Sequence, residues 1–249
     1  MLSVLVLALE VLNADAQPLG MTINWSKTKI QDLSCSGAPC QRVSVQGNEV
    51  EVVESVVYLG SVIHCSGGSE LEIKWCTAFI HESMFALDQN IRGSGITLET
   101  KLRLYNTCIL PIFLYGSEIW CLTSTLEKKI DALDNWGLRR ILHIHWTDFV
   151  SNDVVRSRTG QPLLSDTIRQ RCLSFFGHLC HADIGPDHSR ALRACIRGPP
   201  KRLVTKNWKI ETNLAENDLR PLNFSTATAR RHAMDRLAWH LLVDAATSS

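Results

Sequence analysis

The chain lacks a CxxC pair, any two adjacent acidic residues, any GxxxxGK[ST], GxSxG, HExxH or GxGxxG motif, and any internal repeat of fixed period. The missing motifs remove the usual signatures of P-loop enzymes, serine hydrolases, zinc proteases and dinucleotide binders. Two-metal phosphoryl transfer needs clustered carboxylates to hold ions ~4 Å apart. Without an adjacent acidic pair there is no aspartate pair on a tight turn, although carboxylates can still converge from distant positions. Cys172, His178, Cys180 and His181 lie close in sequence but fit no recognised zinc spacing, and Cys35-x4-Cys40 has no second ligand pair. Long apolar runs are missing too. The most apolar run after the amino terminus, Cys108 to Tyr115, contains Pro111 and falls far short of the ~20 residues that cross a bilayer. No membrane span is predicted.

What is present is ordinary globular composition: 249 residues, 45% hydrophobic and 20% charged. That length suits one large or two small domains. The net charge of +1 hides an asymmetry, since residues 1–100 hold 5 Lys/Arg against 11 Asp/Glu, and residues 101–249 hold 21 against 14. A basic second half points to a polyanionic partner. Nine cysteines, an odd count, sit in a chain too long to need disulfide staples. They suggest a reducing intracellular compartment, nuclear or cytoplasmic. The amino-terminal MLSVLVLALEVLNADAQ has an Ala14-Asp15-Ala16 sequence like a signal cleavage site. Because no Lys or Arg precedes the apolar run and Glu10 interrupts it, a buried helix over 2–16 is the expectation.

The expected elements follow from period and punctuation. Met21 to Trp25 reads as a short extended segment, followed by a loop through Cys35, Gly37 and Pro39. Val43 and Val45, then Val50 and Val52, alternate with polar residues around a Gly47-Asn48 turn, which predicts a hairpin. Val56 to Ile63 reads as one further strand. Ser69 with Glu72 makes a capping box for a helix whose stripe is Ile73, Cys76, Ile80, Met84, Leu87 and Ile91. A second helix from Leu98 runs through Leu102, Tyr105, Cys108 and Ile109, with a kink at Pro111. Ser124 and Glu127 open a third, apolar at Leu126, Ile130, Leu133 and Trp136, with Lys128, Lys129, Arg139 and Arg140 outside. Ser165 opens a fourth, its stripe Ile168, Cys172, Phe175, Phe176 and Leu179, with Arg169, Arg171, His178 and His181 on the other face. Residues 184–206 read as a basic linker. The last helix, about 225–243, should bury Ala233, Met234, Leu237, Ala238, Leu241 and Leu242 and expose Arg230, Arg231, Arg236 and His240. The expected architecture is α+β with helix dominant.

Nucleic-acid binding is the function with most support in these residues. Arg139-Arg140, Arg169 with Arg171, Arg190 with Arg193, Arg197, Lys201-Arg202, Arg230-Arg231 and Arg236 accompany Trp146, Trp208 and Trp239. Cations near phosphates release counterions, and aromatics stack on bases. The same residues would also serve simply to solvate helix outer faces.

Five segments add a resemblance. GMTINWSKTK from Gly20, YLGSVI from Tyr58, residues 100–120 (TKLRLYNTCILPIFLYGSEIW), 138–155 (LRRILHIHWTDFVSNDVV) and 169–179 (RQRCLSFFGHL) occur in this order. Together they resemble the C-terminal part of the endonuclease–reverse transcriptase polyprotein of non-LTR (LINE-like) retrotransposons. The resemblance covers about residues 19 to 180, and more loosely extends to Trp239. It implies that residues 1–66 are the end of a polymerase palm, 67–142 a helical thumb, and 143–249 a basic helical tail that contacts RNA or DNA. GMTINWSKTK looks like motif D, where a lysine helps the departing pyrophosphate, so Lys27 or Lys29 is the candidate. Tyr58-Leu59-Gly60 looks like motif E, the hairpin that grips the primer end. Arg139, Arg140, Arg169, Arg171, Lys201 and Arg202 would be nucleic-acid contacts.

The departures matter as much. The family's metal-binding aspartates, one set in an [FY]-A-D-D turn, have no counterpart in these 249 residues, nor does its endonuclease domain. The parent family uses magnesium; no cofactor and no catalytic residue is expected in this chain, which implies no polymerase activity by itself. Trp75, Cys76, Cys172 and His181 stand where the family more often has arginine or another basic residue. The sequence thus suggests a truncated reverse transcriptase that retains grip and basic tail. A non-catalytic RNA- or DNA-binding module and a degenerate retroelement product are the alternatives.

Overall fold

A computed structural model of the chain describes residues 2–31, 42–91, 95–181, 219, 222 and 224–247. It is predominantly helical with a small β component, and it divides into two units, Met1–Gly68 and Ser69–Ser249. The expected Cys35 loop, the 184–206 linker, and with them Lys201, Arg202 and Trp208, lie outside the described residues.

In the first unit, helix α1 (Leu2–Ala16) is where the apolar run placed it, but it is not buried. Val4 and Leu7 are 70% and 60% exposed, and Val11 and Leu12 more than half. One stripe alone packs inward: Val6 and Leu9 lie against Ile30, Val45 and Val50, and Asn13 donates through Nδ2 to Gln46 Oε1 at 2.9 Å. A helix apolar on most sides exceeds what a sheet this small can cover. Met21 to Trp25 is not a strand; strand β1 is Lys29–Gln31 and pairs parallel to β3 (Asn48–Val53), which pairs antiparallel to β2 (Arg42–Val45). The hairpin turn sits one residue earlier than the sequence suggested. Gln46 (φ 50°) and Gly47 (φ 77°) are both left-handed, the primed geometry that matches strand twist, and Val45 pairs with Asn48. The expected strand over 56–63 is itself a hairpin, β4 (Ser55–Tyr58) and β5 (Ser61–His64).

The second unit begins with α2 (Glu70–Ile91), which buries Ile73, Cys76, Ile80 and Met84 as its period predicts. Ser69 Oγ accepts from the Cys121 N–H at 2.8 Å, tying the start of α2 to a segment 52 positions away. Helix α3 (Leu98–Leu104) is capped by Thr97 and passes through a π-helical turn, Tyr105–Ile109, into α4 (Leu110–Leu114). The expected distortion near Pro111 is therefore a π-bulge just before it. Cys108 points outward rather than joining the stripe.

Helix α5 (Ser124–Ile141) is capped by Thr123, whose side chain accepts from Leu126 N, and not by Ser124. Its buried face includes Leu126, Ile130, Leu133, Leu138 and Ile141, and also Asp134. Tyr105 Oη donates to Asp134 Oδ1, and Arg156 pairs with the other carboxylate oxygen. Burial pushes the Asp134 carboxyl above its ordinary range, against the opposing pull of Arg156 and Tyr105, and pushes the Tyr105 hydroxyl up as well. Arg156 belongs to α6 (Asn152–Thr159), an element the sequence reading missed despite its signals: Ser151 caps it and Gly160 (φ 62°) closes it. Helix α7 (Leu164–His181) starts as expected, with Ser165 held by both oxygens of Asp131. The main core runs from Ile73 to Cys172.

A second cluster joins α7 to the last two helices, α8 (Thr226–Ala233) and α9 (Arg236–Thr247). The sequence suggested one helix here; Asp235 breaks it, its Oδ1 accepting from the Leu237 and Ala238 N–H groups at 3.1 Å each. The inward face differs too. Ala229, Ala233, Trp239 and Val243 are buried, while Met234, Leu237 and Leu241 are 59–79% exposed. Gly177 decides this choice. A Cβ there would lie 2.5 Å from Trp239 Nε1, so only glycine lets the indole seat on α7 and donate to Leu173 O at 3.0 Å.

Candidate nucleic-acid interface

Tyr58-Leu59-Gly60 occupies the tip of the β4–β5 hairpin. Tyr58 pairs with Ser61, leaving Leu59 (φ 49°) and Gly60 (φ 86°) as a two-residue primed turn. Leucine in the left-handed region costs about 1 kcal/mol or more. The turn presents Tyr58 and Leu59 at 63% and 74% exposure. The two candidate lysines differ in their surroundings. Lys29 lies on β1 opposite Glu51 and forms an ion pair with it; that hydrogen bond holds the Glu51 carboxyl below its usual range. Lys27 is exposed on the turn before β1, and its amine has no carboxylate partner among the described residues.

The basic residues of the second unit also divide into engaged and open groups. Arg139 was expected on an outer face; instead it donates to Val150 O at 2.6 Å and Asn152 Oδ1 at 2.9 Å, closing the loop after α5. Arg140 pairs with Asp88 and lies over the rings of Phe85 and Trp136, at 4.6 and 5.2 Å. Arg169 bridges Asp166 and Glu127, both at 2.6 Å, and its side chain is 16% exposed. These three guanidiniums hold helices together and have little left to offer a phosphate. Arg171 is 45% exposed, with Glu118 at 3.9 Å, too far for a hydrogen bond. The open cations include Arg231 and Arg236, marked in the sequence as nucleic-acid candidates, and Arg103, Lys128 and Arg158, which were not; each is exposed with no described carboxylate partner.

Of the tryptophans expected to stack, Trp239 is buried. Trp146 is 79% exposed, on a short turn capped reciprocally by His145 and Asp148, and Phe149 beside it is 91% exposed at φ 51°. Lys101, itself buried, contacts His143 Nε2 through Nζ at 3.1 Å at the base of this loop. The loop therefore offers two aromatic faces on an anchored backbone.

No family model, curated protein or solved structure matches this chain.

Cys172 and Cys180 are buried, Cys172 contacting the Ser117 and Trp120 carbonyls, and His181 contacts the Gly177 and Met234 carbonyls. Among the described residues no three His, Cys, Asp or Glu side chains converge to hold a metal ion. No described helix is long and apolar enough to cross a membrane.

Proposed function

We propose that this chain is a carboxy-terminal part of a non-LTR retrotransposon endonuclease–reverse transcriptase, which holds RNA or DNA without polymerising by itself and acts inside the cell. The observation that carries this reading is the exposed Tyr58-Leu59 tip on a left-handed turn, the kind of hairpin that the motif E resemblance implies. The exposed Trp146 and Phe149, with open cations on the same unit, support a nucleic-acid partner. The absence of an aspartate-bearing turn from the sequence is the ground for assigning no polymerisation.

A labelled primer–template duplex, titrated with the protein and followed by fluorescence anisotropy, tests the grip. Binding that weakens about tenfold in Tyr58→Ala, with an unchanged melting curve, supports the reading. Equal binding by wild type and variant would remove the grip from the hairpin. Primer extension with magnesium tests the rest, since chelator-sensitive incorporation by the purified chain would overturn the non-polymerising assignment. The binding-module alternative shares the Trp146 loop but needs no role for Tyr58, so the same titration separates the two.

A further inference from the structure

The carboxy-terminal half of α7 faces α9 across an open cleft of about 350 Å³. Ser174, His178 and His181 line one side, Arg236 and His240 the other, and Trp239 lies between them. Among the described residues no carboxylate lines it. Its size is at the lower end of small-ligand sites, large enough for a phosphate together with its sugar.

The polar groups of this cleft are poised toward an anion. Arg236 and His240 are exposed on α9, four positions apart and so on one face, with no described ion pair. His178 is exposed on α7 in the same situation. His181 is held more tightly: Nδ1 lies 2.7 Å from Gly177 O and Nε2 lies 3.3 Å from Met234 O. Both ring nitrogens of His181 are thus already engaged by backbone carbonyls. On α8, Arg230 and Arg231 add positive charge. The acids that flank the cleft residues of α9 are already used, Asp235 in capping α9 and Asp244 in accepting from Gln170 Nε2 at 3.2 Å.

We propose that this cleft binds the phosphate of a nucleotide unit, with Arg236 and the imidazoles of His178 and His240 as donors and Trp239 as the apolar wall. As a site for backbone phosphodiester it rests on the nucleic-acid reading above; as a site for a free nucleotide it stands alone.

The test uses the full chain with histidine rings labelled for NMR, titrated with oligothymidylate and with thymidine 5′-monophosphate. Saturable shifts of the His178 and His240 rings support the site. Arg236→Gln, at an exposed position, should weaken binding about tenfold without moving the melting curve. His178→Ala with His240→Ala should weaken binding about tenfold as well. Rings that no phosphate-bearing ligand moves would overturn the site. If the mononucleotide shifts the rings while no oligonucleotide binds, the cleft stands and the nucleic-acid reading falls. If oligothymidylate binds wild type and Arg236→Gln equally with the rings unmoved, the reading stands and the cleft falls.

Discussion

Replacing Gly177 with alanine sets two physical effects against each other. In a helix interior, Gly→Ala is worth about 1 kcal/mol in favour of folding. Here the new methyl would sit 2.5 Å from Trp239 Nε1 and 2.6 Å from its Cδ1, on an indole that is 3% exposed. The ring must withdraw by about 1 Å, since ordinary carbon contacts lie near 3.5–4.0 Å. Overpacking of this kind costs about 1–3 kcal/mol. Withdrawal also breaks the Trp239 Nε1–Leu173 O bond inside the cluster, and a buried group left unpaired costs about 1–3 kcal/mol. The net expectation is destabilisation by about 1–5 kcal/mol, each kcal/mol lowering the midpoint by about 2–4 °C at this size. Thermal unfolding followed by circular dichroism measures it. Trp239→Phe should be less harmful in the Gly177→Ala background than alone, because the two positions share one space. A Gly177→Ala protein that melts above wild type would show that helix propensity governs the site and that Trp239 does not seat there.

The left-handed leucine gives a prediction of opposite sign: Leu59→Asn should raise stability by about 1 kcal/mol in urea unfolding, since Asn tolerates φ 49°, while weakening primer–template binding. Thr123→Ala should lower stability by about 1 kcal/mol and Ser124→Ala by much less, because the cap is Thr123. Burial pushes the Cys76 thiol up to about 12 and Cys180 to about 11, whereas Cys108 is exposed. Alkylation near pH 8, mapped by mass spectrometry, should therefore label Cys108 in the folded protein, and Cys76 and Cys180 only in denaturant. For Asp134, burial raises the folded pKa above the unfolded value of about 4, so its share of stability is fully present below that pH and is lost as pH rises through the raised value. The stability of wild type relative to Asp134→Asn should accordingly fall as pH rises above about 4; a rise would mean that the Arg156 pair outweighs desolvation.

What could be read in the sequence was local. The α2 stripe was legible because Ile73, Cys76, Ile80 and Met84 recur at helical spacing and meet a core large enough to take them. The hairpin around Val45 and Val50 was legible by alternation, but its turn was not, because nothing in the residue type marks Gln46 as left-handed. On α9 two stripes compete, one through Leu237 and Leu241 and one through Trp239 and Val243, and the deciding gap at Gly177 lies 62 positions away. Charge failed for the same reason. The partners of Arg140 and Arg169 are Asp88 and Glu127, 52 and 42 positions distant, so helices that look uniformly basic are partly neutralised on folding. The cleft residues His178, His181, Arg236 and His240 were visible as outer-face positions, yet only the packing of α9 on α7 brings them together.

The central claim, that the folded chain grips nucleic acid through open cations rather than through its many paired ones, is tested most directly by the salt dependence of binding to a labelled primer–template. The account predicts that log K falls linearly with log salt, and that Arg158→Gln and Arg236→Gln each flatten the slope by about 0.9 while Arg169→Gln does not. A slope of zero, or one that only Arg169→Gln flattens, would contradict it.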